Sequence, residues 1–297
     1  MVKRIIFSIV CVSACSCSHL DLKGMLMPTG EGVEKRFEQS MEMHMDLKAG
    51  CVKAEERYTF YVATDPHIDQ THKNLGIFND ALRNDTEASF GVILGDCIDV
   101  KDNLPKYLEA LSYSPEKHAC DHPVFHVLGN HDLFFNGWTD FRELVGPSVY
   151  WFEVEFDTGK DLFISLDTAT GSLGRKQTDW FKSFLSANRK EYRHCVILTH
   201  TNFFYTDNSQ VSSGNMPLEE IYALMDFLGR HDVSLVLQGH DHHREDLIFD
   251  NVRYTVLGAI HDGMDAPEYL KITANRDSFN LDWQTIPRQV HQEAFAH

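Results

Sequence analysis

Phe90-Gly91-Val92-Ile93-Leu94-Gly95-Asp96-Cys97-Ile98-Asp99 is the stretch whose reading decides the fold. Its apolar part is short enough for a buried strand and too short for an ordinary helix, and it gives way at once to Gly-Asp. The pattern recurs. Val124-Phe125-His126-Val127-Leu128 runs into Gly129-Asn130-His131-Asp132. Upstream, Tyr58 to Thr64 ends at Asp65. Downstream, Cys195 to Thr199 ends at His200, and Leu235 to Gln238 ends at Gly239-His240-Asp241-His242. Each run is predicted as a strand with a metal-ligating type of side chain just beyond its carboxyl end.

Between and after these runs the chain alternates. Residues 73–83 are predicted as a helix with Leu75, Phe78 and Leu82 on one face. Thr178 to Lys190 is a second, with Phe181, Phe184 and Leu185 inward, and Pro217 to Arg230 a third, with Pro at its first turn. Tyr150 to Phe156, Leu162 to Leu166, Val252 to Leu257, Tyr269 to Thr273 and Phe279 to Trp283 complete the strands. The early β-α-β order predicts an α/β domain, and the strand-rich second half a second sheet. Ligands in open α/β sheets gather outside the carboxyl ends of the strands. Five such ends therefore bring Asp65, Asp96, Asn130, His200 and His240 to one edge, and His67 and His242 reach it from the same loops. An Asp after a strand is commonly a turn or cap residue; it is the recurrence at successive strand ends that points to a metal site. Carboxylates, imidazoles and an amide oxygen suit Mn, Fe or Zn.

The blocks Asp65-Pro66-His67, Gly95-Asp96-Cys97-Ile98-Asp99, Gly129-Asn130-His131-Asp132, His200 and Gly239-His240-Asp241-His242, in that order, resemble the calcineurin-like metallophosphoesterase superfamily. With the flanking strands the resemblance extends over about 55–285. It implies an α/β fold, a two-sheet β-sandwich flanked by helices. It also implies that Asp65, His67 and His242 bind one metal, that Asn130, His200 and His240 bind a second, and that Asp96 bridges them. His131 would stand beside the leaving group as a non-ligand, with Asp99 as its orienting partner. Cys97 is followed by no Tyr in the Asp96 block, which departs from the purple acid phosphatases. His200 is followed by Thr201-Asn202-Phe203 and not by the Pro often found there.

The chemistry so implied is hydrolysis of phosphate esters by a hydroxide bridging two metals about 3.5–4 Å apart. The ions would lower the pKa of bound water and stabilise charge on phosphorus. The leaving oxygen would take a proton from a positioned His. The spacing around Leu166-Asp167-Thr168 and Gln177 to Leu185 resembles the single-domain phosphodiesterase-type branch. A phosphomonoesterase acting on nucleotides or sugar phosphates is the alternative, and a non-catalytic surface binding module on the same fold a second.

Net charge is −17, from 27 basic and 44 acidic residues. This speaks against a broad nucleic-acid surface but not against a small phosphorylated substrate, because bound ions dominate the local field. At the N-terminus, Lys3 and Arg4 precede the apolar run Ile5 to Val12, and Val12-Ser13-Ala14-Cys15 resembles a bacterial lipobox. The expected organisation is a signal peptide over 1–14, a lipid-anchored tether over 15–32, a packing helix over 33–54 and the metallophosphoesterase domain over 55–297. The protein is thus expected to be exported to the bacterial cell envelope and held to a membrane through Cys15. Val33, Phe37, Met41 and Met45 form a helical stripe. Met41, Met43, His44 and Met45 suit Cu(I) in softness, but core filler is the commoner use of Met. Cys51, Cys97, Cys120 and Cys195 are widely spaced and read mostly as buried free thiols. Residues 201–216 read as a substrate lip or a plain surface loop. Arg244 reads as a solvated charge or a contact to a second phosphate, and His72, His243 and His261 as polar loop residues.

Overall fold

Two sheets form because two sets of apolar runs must each bury both faces. The computed structural model describes residues 30–47, 50–112, 121–204 and 215–287. Strands β1 (Gly50–Lys53), β5 (Tyr150–Phe156), β6 (Gly159–Ser165), β7 (Cys195–Leu198), β8 (Leu235–Gln238), β9 (Glu245–Phe249) and β10 (Val252–Val256) make a seven-stranded sheet in the order β1-β5-β6-β7-β8-β10-β9. Strands β2 (Tyr58–Ala63), β3 (Ala88–Ile93), β4 (Val124–His126), β11 (Glu268–Ala274) and β12 (Phe279–Thr285) make a five-stranded sheet in the order β12-β11-β2-β3-β4. The strands that lead to the site, β2, β3 and β4 in one sheet and β7 and β8 in the other, are parallel within each sheet. Their carboxyl ends therefore share an edge.

The inner faces of the sheets meet in a core that includes Phe60, Phe90, Phe152, Phe163, Val196 and Leu237. Phe60 stacks on Phe90 at 4.9 Å, and Phe163 meets both edge-on. Helix α2 (Lys73–Asn84) covers the outer face of the five-stranded sheet with Leu75, Phe78 and Leu82, all buried. Helices α5 (Gly174–Asn188) and α6 (Leu218–Arg230) cover the seven-stranded sheet with Phe181, Leu185, Ile221 and Leu228. Shorter helices α3 (Leu104–Ala110) and α4 (Trp138–Leu144) close the first side. The result is the four-layer helix–sheet–sheet–helix sandwich expected from the sequence. Among the described residues, no helix is long and apolar enough to cross a membrane.

Helix α1 (Val33–Leu47) packs on α5. Its buried side chains are Arg36, Phe37 and Ser40, while Val33 and Met41 are half-buried; the side chain of Met45 lies outside the described residues. Arg36 is fully buried because Asp167 pairs with it through two hydrogen bonds, Nε to Oδ2 at 2.8 Å and Nη2 to Oδ1 at 3.0 Å. Glu34 accepts from the Arg175 N–H at 2.6 Å, placing a carboxylate at the start of α5. The segment 33–54 holds more than a helix: β1 follows α1 and pairs in parallel with β5. β1 and β9, the two edge strands of the seven-stranded sheet, have no counterpart among the predicted runs. Cys97 and Cys195 are free and buried, Cys51 is free and exposed, and Cys120 lies outside the described residues, as do Cys15, the proposed signal and tether up to residue 29, and 205–214 of the proposed lip.

Candidate metal centre

The loops beyond the parallel strands bend sharply, and five proposed ligands lie in them at positive φ: Asp65 at 51°, His67 at 41°, Asp96 at 49°, His240 at 73° and His242 at 59°. Non-glycine residues rarely adopt this region, and its use at successive loops is the backbone strain that functional sites store. Two glycines let the loops approach. A Cβ on Gly129 would lie 2.1 Å from the Asp96 backbone nitrogen, and one on Gly239 would lie 2.0 Å from Thr64 Oγ1. Backbone bonds fasten the loops together. Asp65 N–H donates to Gly95 O at 3.1 Å, His67 N–H to Asp96 O at 3.0 Å, and Gly239 N–H to His200 O at 2.8 Å. Asp132 adds a clamp, its carboxylate accepting from Cys97 N–H and Gly129 N–H, both at 2.9 Å.

This scaffold gathers Asp65, His67, Asp96, Asn130, His200, His240 and His242 into one cluster with two halves. In the first half, His67 Nε2 lies 3.1 Å from His242 Nε2, and Asp65 Oδ1 lies 3.7 Å and 3.4 Å from those two nitrogens. In the second, Asn130 Oδ1 lies 3.0 Å from both His200 Nε2 and His240 Nδ1, which are themselves 3.1 Å apart. Asp96 stands between the halves. The Nδ1 of His200 faces Leu94 O at 2.8 Å, so Nδ1 donates there and Nε2 keeps its lone pair for the cluster.

The donor set fits metal ions. Asp65 Oδ2 accepts from Thr64 Oγ1 at 2.5 Å and His240 N–H at 3.0 Å. Asp65 Oδ1 is fully buried and has no hydrogen-bond partner among the described residues. A bare buried carboxylate oxygen facing two ring nitrogens calls for a cation. Without one, protons do the neutralising. Burial opposes charge on His200, yet the Asp96 carboxylate pushes it up to about 9. Burial likewise opposes charge on His67, but Asp65 and Asp99 raise it well above the usual histidine range. His240 is held down to about 4 by burial and by His200. Asp132 is pushed up to about 7 by burial and by the nearby Asp96.

His131 lies at the cluster edge, its Nε2 4.0 Å from Asp96 Oδ2 and its Nδ1 3.4 Å from Asp99 Oδ1. The same Asp99 oxygen lies closer, at 2.9 Å, to His67 Nδ1. Asp99 therefore serves a proposed ligand first and His131 second. A cleft of about 660 Å³ opens over His67, His131 and His242. Arg244 stays out of it, stacked on Trp283 at 4.0 Å and 3.7 Å from Glu268. His243 bonds locally to Asp241 O at 2.8 Å. His72 occupies the position before α2 without capping it through its side chain. His261, by contrast, lines the cleft. Sequence reading gave no role to Thr64, at the end of a strand run, or to Asp132, inside a motif block, and took His261 for a polar loop residue.

A model of the family described as calcineurin-like phosphoesterase matches residues 58–244. Among solved structures, the chain is similar to GAP50, described as the anchor in the inner membrane complex of Plasmodium. The identity is 14%, with 77% of this chain and 84% of that one covered and a TM-score of 0.58. It is also similar to the purple acid phosphatase PPD1 of yellow lupin (Lupinus luteus). Here the identity is 11%, the coverage 78% and 52%, and the TM-score 0.57. The chain thus spans about half the length of the lupin enzyme. At these identities the likeness is one of fold. No curated protein matches the sequence.

Proposed function

The chain belongs to the calcineurin-like phosphoesterase family, and from that premise we propose that this metal-dependent phosphoesterase uses two metal ions to hydrolyse small phosphodiesters. Asp65, His67 and His242 would hold one ion, Asn130, His200 and His240 the other, and Asp96 would touch both. When bound, the ions supply positive charge to the phosphoryl oxygens and an acidified water. The chain's own part is to place that charge and to move one proton. Asp96 and Asp65 fix the cluster through their buried carboxylates. His131, with Nδ1 toward Asp99, presents Nε2 to the site, from where its proton can pass to the departing oxygen.

The observation that carries the diester reading is the charge of the cleft. Asp69, Asp99 and Asp262 line it, and no Lys or Arg does so among the described residues. No Lys or Arg occurs anywhere between Arg193 and Arg230, which spans the whole 201–216 segment. A monoester dianion brings one more negative charge past those carboxylates than a diester does, and it finds no side-chain cation to offset it. Asp167 and Gln177, whose spacing suggested the phosphodiesterase branch, are tied up in packing: Asp167 N–H donates to Gln177 Oε1 at 2.8 Å. The cleft, and not that spacing, supports the diester reading. The test compares kcat/KM of the metal-loaded protein for bis-p-nitrophenyl phosphate and p-nitrophenyl phosphate, with the diester expected to be faster. A faster monoester would favour nucleotides or sugar phosphates, and turnover of neither would overturn the reading.

We also infer export and lipid anchoring at Cys15, on the strength of Val12-Ser13-Ala14-Cys15. In a bacterial host fed labelled fatty acid, the protein should take up label and Cys15→Ser should not. Label retained in the variant would place the anchor elsewhere.

A further inference from the structure

His261 belongs to none of the motif blocks, yet its ring lies 5.9 Å from that of His67 and 5.7 Å from that of His242, centroid to centroid. It is half-buried at the wall of the cleft. Its loop is fastened at every step. Ile260 N–H donates to Thr64 O at 3.0 Å, in the turn that carries Asp65. Asn74 Nδ2 donates to His261 O at 3.1 Å. Asp262 accepts from the Lys73 and Asn74 N–H groups at 3.0 and 2.8 Å, at the start of α2. The ring is oriented too, because Gly263 N–H donates to Nδ1 at 3.0 Å. An Nδ1 that accepts keeps its lone pair, so the ring proton must sit on Nε2. Among the described residues nothing hydrogen-bonds to that Nε2–H. A tautomer fixed by backbone, on an immobilised loop beside two proposed ligands, is a preorganised donor without a protein acceptor. Among the described residues, the cleft has no Lys or Arg to perform the same task.

We propose that His261 is a substrate-binding residue whose Nε2–H donates to a non-bridging phosphoryl oxygen of the bound ester. The proposal rests on the phosphoesterase reading above and adds to it a residue outside the metal-ligand set. The bond is made to the phosphoryl group itself, so it forms with substrate and with inorganic phosphate alike.

The test uses the metal-loaded full chain, with His261→Ala, His261→Phe and His261→Gln. Loss of a hydrogen bond to a charged group should raise KM for bis-p-nitrophenyl phosphate, and the calorimetric Kd for inorganic phosphate, by about 10- to 100-fold in the Ala and Phe variants. Metal content by elemental analysis should stay at the wild-type value. Gln, which keeps a donor at the end of the side chain, should recover most of the loss. Phe keeps the bulk of the ring without the donor, so a purely packing role would reverse that order. Phe binding phosphate as wild type does while Gln fails would overturn the proposal, and so would metal loss in the Ala variant. If wild type turns over substrate and binds phosphate, and the Ala variant does both equally well, this inference alone fails. If wild type does neither, the phosphoesterase reading fails and takes this one with it.

Discussion

Asp96 reaches both halves of the cluster, its Oδ1 3.4 Å from His200 Nε2 and its Oδ2 3.6 Å from His67 Nε2. It is 2% exposed, and Oδ1 also accepts from His131 N–H at 2.8 Å. A carboxylate so placed can hold charge for two ions at once. Asp96→Asn should therefore weaken both sites, by more than the about 10–100-fold typical of an outer-sphere change. His67→Ala should spare the half built from Asn130, His200 and His240. Elemental analysis after equal metal loading checks this, and equal retention in the two variants would remove the case for Asp96 as the shared ligand.

Gly239→Ala should damage the site without touching a ligand. The new Cβ would fall 2.0 Å from Thr64 Oγ1 and 2.8 Å from Asp65 Oδ2, so the loop carrying His240 and His242 must move away from Asp65. The expected result is loss of the half that includes Asp65 and a fall in stability of about 1–3 kcal/mol. Titration with Mn and a denaturant melt read the two effects. Wild-type metal binding in this variant would show that the close approach is dispensable.

Metal uptake should depend on pH, with a sign fixed by His67 and His200. Both imidazoles are raised in the metal-free protein, His200 to about 9. A raised folded-state pKa contributes stability that is fully present below the unfolded value, about 6.5, and lost as pH rises through the folded one. The metal-free protein should therefore lose stability, on the order of 3 kcal/mol, between pH 6.5 and 9. Metals need the neutral rings, so affinity should climb over the same window and binding at pH 7 should release protons. Calorimetry in buffers of different ionisation enthalpy, with melts of the metal-free protein at pH 6 and 9, decides it. A metal-free protein that becomes more stable toward pH 9 would contradict the assignment.

The site was legible because its residues sit where strands end. A strand such as β3 is a short apolar run on any reading, and Asp96 follows it two residues after Leu94. The two sheets were legible for the same reason. Arg36 was not legible, because a helical stripe counts apolar residues and cannot see that an Arg will be buried against Asp167, 131 residues away. The shared use of Asp99 was hidden as well: the family resemblance pairs it with His131 but gives no distance to His67. His261 lies in a loop between β10 and β11 that carries no periodic signal, and only the folded chain brings it beside His242.

Arg36→Ala should cost far more than a surface Arg. Both partners of the Arg36–Asp167 pair are fully buried, and Ser148 Oγ donates to Asp167 Oδ2 at 3.0 Å. Removing one partner leaves an unpaired buried charge, worth about 3–5 kcal/mol of destabilisation. Replacing both, as Arg36→Met with Asp167→Leu, should recover a good part of it. Denaturant unfolding of the wild type and the two variants checks this, and a change under about 1 kcal/mol for Arg36→Ala would mean that α1 is not docked in solution as it is here.

The role given to His131 makes the most specific demand. If it holds the proton for the departing oxygen, His131→Ala should keep the metals and the fold, and the rate loss should depend on the leaving group. An alkoxide leaves poorly and needs the proton; a nitrophenolate leaves readily without it. General acid help is worth about 10²–10⁴-fold, and most of that should vanish with an alkyl ester only. Asp99 complicates the companion variant in a way the geometry anticipates. Its oxygen is 3.4 Å from His131 Nδ1 but 2.9 Å from His67 Nδ1. Asp99→Asn should thus show the leaving-group pattern in milder form, together with a loss of metal affinity of about 10–100-fold that His131→Ala does not show. Saturating metal should remove the second effect and leave the first. The measurement is kcat/KM for an alkyl and a nitrophenyl diester in wild type and both variants, at two metal concentrations. Equal losses for the two esters in His131→Ala would reduce His131 to packing at the edge of the site. Metal loss from that variant would instead make it a ligand.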